Sequence, residues 1–110
     1  MAFAAYTKGS AALLTAILGV AEHYGVRGVL EEQWGDEFSR RTQAQVTATS
    51  AKAWRFAGEM REIAATFAAA GLSSGFHDAA ADTFERLETF KDNPASDIDT
   101  LLAELLSGPE

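Results

Sequence analysis

Between Ala51 and Leu72 the apolar residues Ala53, Phe56, Met60, Ile63, Phe67 and Ala70 step by three, four, three, four and three. That is the period of an α-helix with one buried stripe, and no strand gathers those side chains on one face. A chain carrying such a segment is built from packed helices. Ser50 stands where a hydroxyl caps a first turn, and Gly71 where glycine closes a last one. Beside the stripe, Trp54, Arg55, Glu59, Arg61 and Glu62 crowd charge and aromatic surface into a short arc. Packing alone does not require such a cluster, so this helix is the first place to look for function.

The rest of the chain follows the same rule. Both prolines, Pro94 and Pro109, lie in the last fifth, and no alternating run of β-branched residues marks a strand. A first helix runs from near Ala2 to Tyr24, with Gly25 as its stop. Phe3, Tyr6, Leu13, Ile17, Val20 and Tyr24 form one stripe on it, and Leu14, Leu18 and Ala21 form a second. A helix apolar on most sides is covered by neighbours or by another chain. Gly9 and Gly19 each cost about 1 kcal/mol relative to Ala, which points to close helix approach at both.

A short helix is expected at Val29–Trp34, then a break at Gly35-Asp36, with Asp36 capping a polar helix over Glu37–Thr49. After the central helix, Phe76–Lys91 reads as another, with Phe76, Ala80, Phe84, Leu87 and Phe90 inward. Asp92-Asn93-Pro94 ends it. Ser96 with Asp99 resembles a capping box and opens a last helix through Leu106. The expected fold is all-α with five or six helices: a helical domain over 1–91, and a linker and short helix over 92–110. That last helix is the candidate for a detachable tail or partner-binding element.

A chain of 110 residues makes one domain with a modest core, and 47% hydrophobic residues is near the globular norm. With no cysteine, disulfides, thiolate metal sites and Cys nucleophiles are excluded, and a reducing, cytoplasmic setting fits. A net charge of −7 opposes binding to nucleic-acid phosphates. No basic amphipathic run marks a membrane-surface helix. Residues 1–21 are rich in Ala and Leu, but Lys8 interrupts them and no basic segment comes first. That order argues for a buried soluble helix against a signal peptide or membrane span. Helical character begins at Met1 with no cap before it, as expected of a piece of something longer.

The two histidines, in Glu22-His23 and His77-Asp78, sit beside acids that point about 100° away on a helix. No Glu-x-x-His or His-x-x-x-His spacing supplies a metal site. The serines lack a Gly-x-Ser-x-Gly setting, and no glycine-rich loop follows a strand. No cofactor site is therefore expected on this chain alone. Lys8 is different: it interrupts an apolar helix and is followed by the small Gly9 and Ser10. A lysine in an apolar groove can act as a proton donor or base; alternatively its stem lies along the surface with the head in water. The central cluster also has two readings. Arg55 with Glu59 and Glu62 can form an ordinary ion-pair row, or Trp54, Arg55 and Arg61 can receive a small anion, since Arg grips carboxylates bidentately and Trp supplies a flat wall. Tyr6 joins Trp54, Arg55, Glu59 and Arg61 as substrate-binding candidates, with Lys8 the catalytic one.

Lys52-Ala53-Trp54-Arg55-Phe56, Gly58-Glu59-Met60, Glu62-Ile63-Ala64 and Phe67, with Ala4-Ala5-Tyr6-Thr7-Lys8-Gly9-Ser10 and Ala12-Leu13-Leu14, resemble a known domain. It is the C-terminal helical domain of 6-phosphogluconate dehydrogenase-like NAD-binding oxidoreductases, within the β-hydroxyacid dehydrogenase superfamily. The likeness runs from Met1 to Leu87, and its Trp-Arg-Phe-x-Gly-Glu-Met stretch is the specific part. It implies a two-part enzyme. A Rossmann domain binds NAD(P), and the helical domain closes the substrate pocket and forms the dimer. Hydride transfer then interconverts a hydroxy acid, or a related carbonyl or imine compound, with its oxidised form. Matching the relatives' catalytic lysine by its distance from Gly25-Val26 puts its place just before Met1, and puts Phe3 and Ala4 where an Asn is expected. Lys8 would be a substitute. Arg61-Glu62 match a Lys-Asp pair near the cofactor in relatives.

Three readings follow. The chain is the substrate and dimerisation domain of an NAD(P)-dependent oxidoreductase, working with a Rossmann-domain partner; or a free-standing, non-catalytic protein that binds a small anionic ligand or a partner; or a structural dimerisation module. A homodimer is expected separately, because the first helix is apolar over more surface than so short a chain can cover.

Overall fold

The computed structural model describes residues 2–107. Among them are six α-helices and no strand, the all-α fold the periodicities require. They are α1 (Ala2–His23), α2 (Arg27–Trp34), α3 (Asp36–Ser50), α4 (Ala53–Ala69), α5 (Gly75–Glu85) and α6 (Ile98–Ser107), with one 3₁₀ turn at Glu88–Phe90. Met1 and the last three positions of the 92–110 segment, Pro109 among them, lie outside the described residues.

The core forms where the stripe of α4 meets α5. Ala53, Ala57, Met60, Ile63 and Ala64 of α4 are buried, as are Ala80, Ala81 and Phe84 of α5. Phe56 packs edge-on to Phe84 with ring centroids 5.8 Å apart. Phe67 is partly buried, and Ala70, expected in the same stripe, is exposed past the helix end. Leu18 of α1, Val46 of α3, and Leu101 and Leu102 of α6 complete the same cluster. The 92–107 stretch is thus no detachable tail: its helix supplies Ile98, Leu101, Leu102 and Leu105 to the shared core.

Helix ends show where local signals hold. Gly25 and Gly71 both take positive φ and close α1 and α4 by the same device. The amide after each glycine donates five residues back, Val26 to the Ala21 carbonyl and Leu72 to that of Phe67. Starts were less legible. Ser50 does not cap α4: it ends α3, donates to the Thr47 carbonyl and accepts from the Ala95 amide at 3.0 Å. It thereby ties the α3–α4 break to the segment before α6. Asp36 is the first residue of α3, with Gly35 at the cap. The cap of α6 is Asp97, whose Oδ1 accepts the Thr100 amide at 2.7 Å, one position on from the Ser96 expected. The helix read over Phe76–Lys91 stops at Glu85, and Phe76, expected inward, is 79% exposed in the first turn of α5.

Helix α1 turns its small side inward. Ala11, Ala12, Thr15, Leu18, Gly19 and Ala21 are buried, while Phe3, Tyr6, Leu13, Val20 and Tyr24 of the other stripe face outward. The two glycines explain the choice. A Cβ on Gly9 would stand 3.0 Å from His77 Nε2, and one on Gly19 would stand 2.7 Å from Leu105 Cδ2. Helices α5 and α6 therefore approach α1 along its glycine side. Arg27 pins the end of α1, reaching Glu22 at 2.9 Å, Glu31 at 3.8 Å and Asp99 of α6 at 2.5 Å.

Two outcomes are expected. Phe84→Ala removes the largest fully buried side chain and lowers unfolding stability by about 3–5 kcal/mol in denaturant titration. The Thr100 amide, then its hydroxyl, holds the Asp97 carboxyl below the usual aspartate range. Asp97 thus contributes stability above the ordinary aspartate value of 3.8, and that contribution is lost as pH falls through the lower folded value. Asp97→Asn should flatten this part of the acid limb of thermal stability, with little change in the pH dependence near neutrality.

Candidate functional site

The residues singled out along the chain fall into three places. The first is the contact of α1 with α4. Lys8 Nζ lies 2.7 Å from Glu59 Oε1 and 4.4 Å from the centre of the Phe56 ring. The stripe of α4 puts Phe56 half inward, and Glu59, three residues on, lies beside it at the edge of the same helix. The Lys8 and Glu59 side chains are 29% and 40% exposed, so water still reaches the pair. The ammonium is held by one carboxylate and one aromatic face, each interaction adding less than about 1 kcal/mol at this exposure. The ion-pair row of Arg55 with Glu59 and Glu62 does not form, because Glu59 turns to Lys8 instead.

The second place is the start of α4. The Trp54 ring carries the Lys91 ammonium 4.3 Å from its centre. Arg55 is exposed and makes no side-chain hydrogen bond or ion pair among the described residues. The third is the outer side of the α4–α5 pair. Arg61 faces three carboxylates of α5, at 3.7 Å from Asp78, 3.0 Å from Asp82 and 3.1 Å from Glu85. The Asp82 hydrogen bond first, then the Glu85 charge, holds its guanidinium above the usual range. Arg61 is thus already matched by acids of its own fold.

A cavity lies elsewhere. A groove of about 580 Å³ runs between α1 and α5, and of the candidates only Tyr6 lines it. Its walls are mainly apolar, with Leu13 and Phe76 at its sides. A second hollow of about 330 Å³ continues past Ala16 and Thr83 toward Tyr24 and Leu106. Sequence reasoning missed His77 here. Its Nε2 lies 3.1 Å from the Ala5 carbonyl, its ring packs on Phe67 at 4.8 Å, and its buried Nδ1 has no partner among the described residues. The signal was present: His77, Ala81 and Phe84 step by four and three along one face of α5, the buried one.

Over its described residues the chain has no strand followed by a glycine-rich turn. What it builds is a helical wall: a lysine–carboxylate contact joining α1 to α4, and an apolar groove on the far side of α1.

Comparison with known proteins gives the chain a family. Residues 18–87 match a family model described as a domain of unknown function, DUF1932, and the chain belongs to that family. The domain occurs at the C-terminus of NAD-binding 6-phosphogluconate dehydrogenase-like proteins. No match was found among curated proteins or among solved structures.

The Lys8–Glu59 contact is open to a double-mutant cycle with Lys8→Met and Glu59→Gln. A coupling of about 0.2–1 kcal/mol, shrinking with added salt, is expected for a pair this exposed. A coupling of zero at low salt would show that the two groups do not meet in solution.

Proposed function

We propose that this chain is the helical, substrate-side and dimerising half of a cytoplasmic NAD(P)-dependent oxidoreductase. Its substrate would be a small hydroxy acid or a related carbonyl compound, and a Rossmann domain outside these 110 residues would supply the cofactor. The observation carrying the reading is membership, over residues 18–87, of a family found at the C-terminus of NAD-binding proteins. The Lys8–Glu59 contact supports it, because it joins the two stretches in which the resemblance is concentrated. In this reading Lys8 is the proton-transfer candidate, and Glu59 and Phe56 fix where its ammonium stands. Trp54 and Arg55 offer the cation and flat surface for a substrate carboxylate. Tyr6 contributes from the groove side, and Arg61 acts through its hold on α5, since its guanidinium already meets three acids.

A second reading has its own support. Arg55, free of partners among the described residues beside a partly exposed Trp54, suits a non-catalytic protein that binds a small anion.

The test is a titration with NADH and NADPH followed by nicotinamide fluorescence. The chain alone should give no saturable signal. Mixed with the Rossmann domain of a full-length 6-phosphogluconate dehydrogenase-like protein of this family, it should bind cofactor and oxidise short 2-hydroxy acids. Lys8→Ala should then lower kcat more than it raises KM. Tight cofactor binding by the chain alone, or no turnover with any such partner, would overturn the reading. Binding of small carboxylates to the chain alone, abolished by Arg55→Ala, would favour the second.

A further inference from the structure

The two hollows beside α1 form one trough. Ala16 and Thr83 border both, so the 580 Å³ groove between α1 and α5 opens into the 330 Å³ hollow that α6 closes with Leu105 and Leu106. From Ala5 at one end to His23 at the other, the trough follows α1 for roughly 27 Å, at about 1.5 Å per residue. Alanine, glycine, leucine and phenylalanine line most of that length, so a chain of methylenes would meet apolar surface along it.

The two ends differ in charge. The chain has 16 acidic residues against nine lysines and arginines, yet no acid lines either hollow, and Arg86 and His23 both border the smaller one. Arg27 and Arg61 each meet three carboxylates, whereas Arg86 meets none among the described residues. Arg86 stands exposed at the rim and gives Nη1 to the Leu105 carbonyl at 3.3 Å. That leaves Nε and Nη2, one edge of its fork, to face an acceptor. The opposite end of the trough is already served. There the Gly75 amide donates to the Ser73 hydroxyl at 3.0 Å, and Asp78 sets a negative charge in the first turn of α5.

We propose that the trough binds one molecule of a long-chain carboxylic acid, its carboxylate on Arg86 beside His23 and its hydrocarbon chain laid past Ala16 toward Leu13. The planar guanidinium edge matches both carboxylate oxygens. Each hollow has the about 300–1,000 Å³ of a small-molecule site, and apolar walls with polar groups gathered at one point are the form such sites take. The site is independent of the hydride-transfer role proposed above, since Lys8, Arg55 and Glu59 border neither hollow.

Charge and shape favour a free acid over an anionic membrane. A chain of net charge −7 is repelled by a sheet of acidic headgroups, while a single carboxylate at Arg86 enters where no acid of the chain stands. Helix α1 has the length and hydropathy of a membrane span. Its inner face, however, holds Leu18 and Ala21 in the core, so it cannot leave the fold for a bilayer without opening it.

Calorimetric titration of the whole chain with fatty acids below their micelle concentration tests the site. Decanoate should bind one molecule per chain, and from octanoate to dodecanoate each added methylene should tighten binding about two- to four-fold. Decanol and decyltrimethylammonium keep the tail and change the head, and each should bind at least about 10-fold more weakly. Arg86→Met should weaken decanoate about 10-fold and leave decanol unchanged. Ala16→Phe, at the partly exposed junction of the hollows, should flatten the gain with chain length. Helical circular dichroism should be unchanged in both variants, and the head-group series on the unsubstituted chain decides the matter if either unfolds. Equal affinity for acid, alcohol and ammonium would overturn the proposal. So would the absence of saturable binding, or binding seen only with phosphatidylglycerol vesicles.

Discussion

The meeting of α4 with α5 around Phe84 sets the rest of the molecule. Once Met60, Ile63 and Ala64 turn toward Ala80, Ala81 and Phe84, the rotation of α4 about its axis is fixed. Every other side chain on that helix then has a direction it cannot choose. Arg61 comes out over the acids of α5, and Phe56 and Glu59 come out toward α1. The charged arc is therefore divided by the same packing that creates it. One part braces α5, one meets Lys8, and one, Arg55, is left to solvent.

Helix α1 is shaped by the opposite circumstance, a surface larger than its own fold can cover. Two stripes compete for the core, and the narrower residues win. Gly9 and Gly19 let α5 and α6 approach to within contact of the α1 backbone, where Phe3 or Tyr6 would hold a wider gap. The larger side chains are consequently turned out. The apolar burden of the outer face is thus the complement of close packing on the inner one.

This bears on how much could be read from the chain itself. The helices, their number and the central buried stripe follow from periods of three and four, which are local. So do the stops at Gly25 and Gly71, because an amide reaching back five residues needs only its own segment. The choice between the two stripes of α1 is not local, since it depends on what Leu105 and His77 bring to it from more than 60 residues away. Ser50 illustrates the same limit. Its position looked like a cap, but its hydroxyl is claimed by the Ala95 amide. Helical spacing offered Glu59 a partner in Arg55, four residues back on its own helix, as one of two readings; it pairs with Lys8, 51 positions away. Phe76 misled in another way: in the first turn of α5 its neighbour His77 takes the inward position against α1, and Phe76 is left at the side of the groove.

The two sides of α1 are mechanically linked, and this gives the candidate site its logic. Lys8 points to Glu59 on one side of the helix, while Tyr6 and Gly9, its near neighbours, border the groove on the other. A helix held on both sides cannot roll without breaking one contact or the other. For the proton-transfer role proposed for Lys8 such restraint matters, because misplacement by about 1 Å can cost about 100-fold in rate. The large side chains that core packing expels from α1 therefore stand on the same helix as the lysine to which a proton-transfer role is proposed.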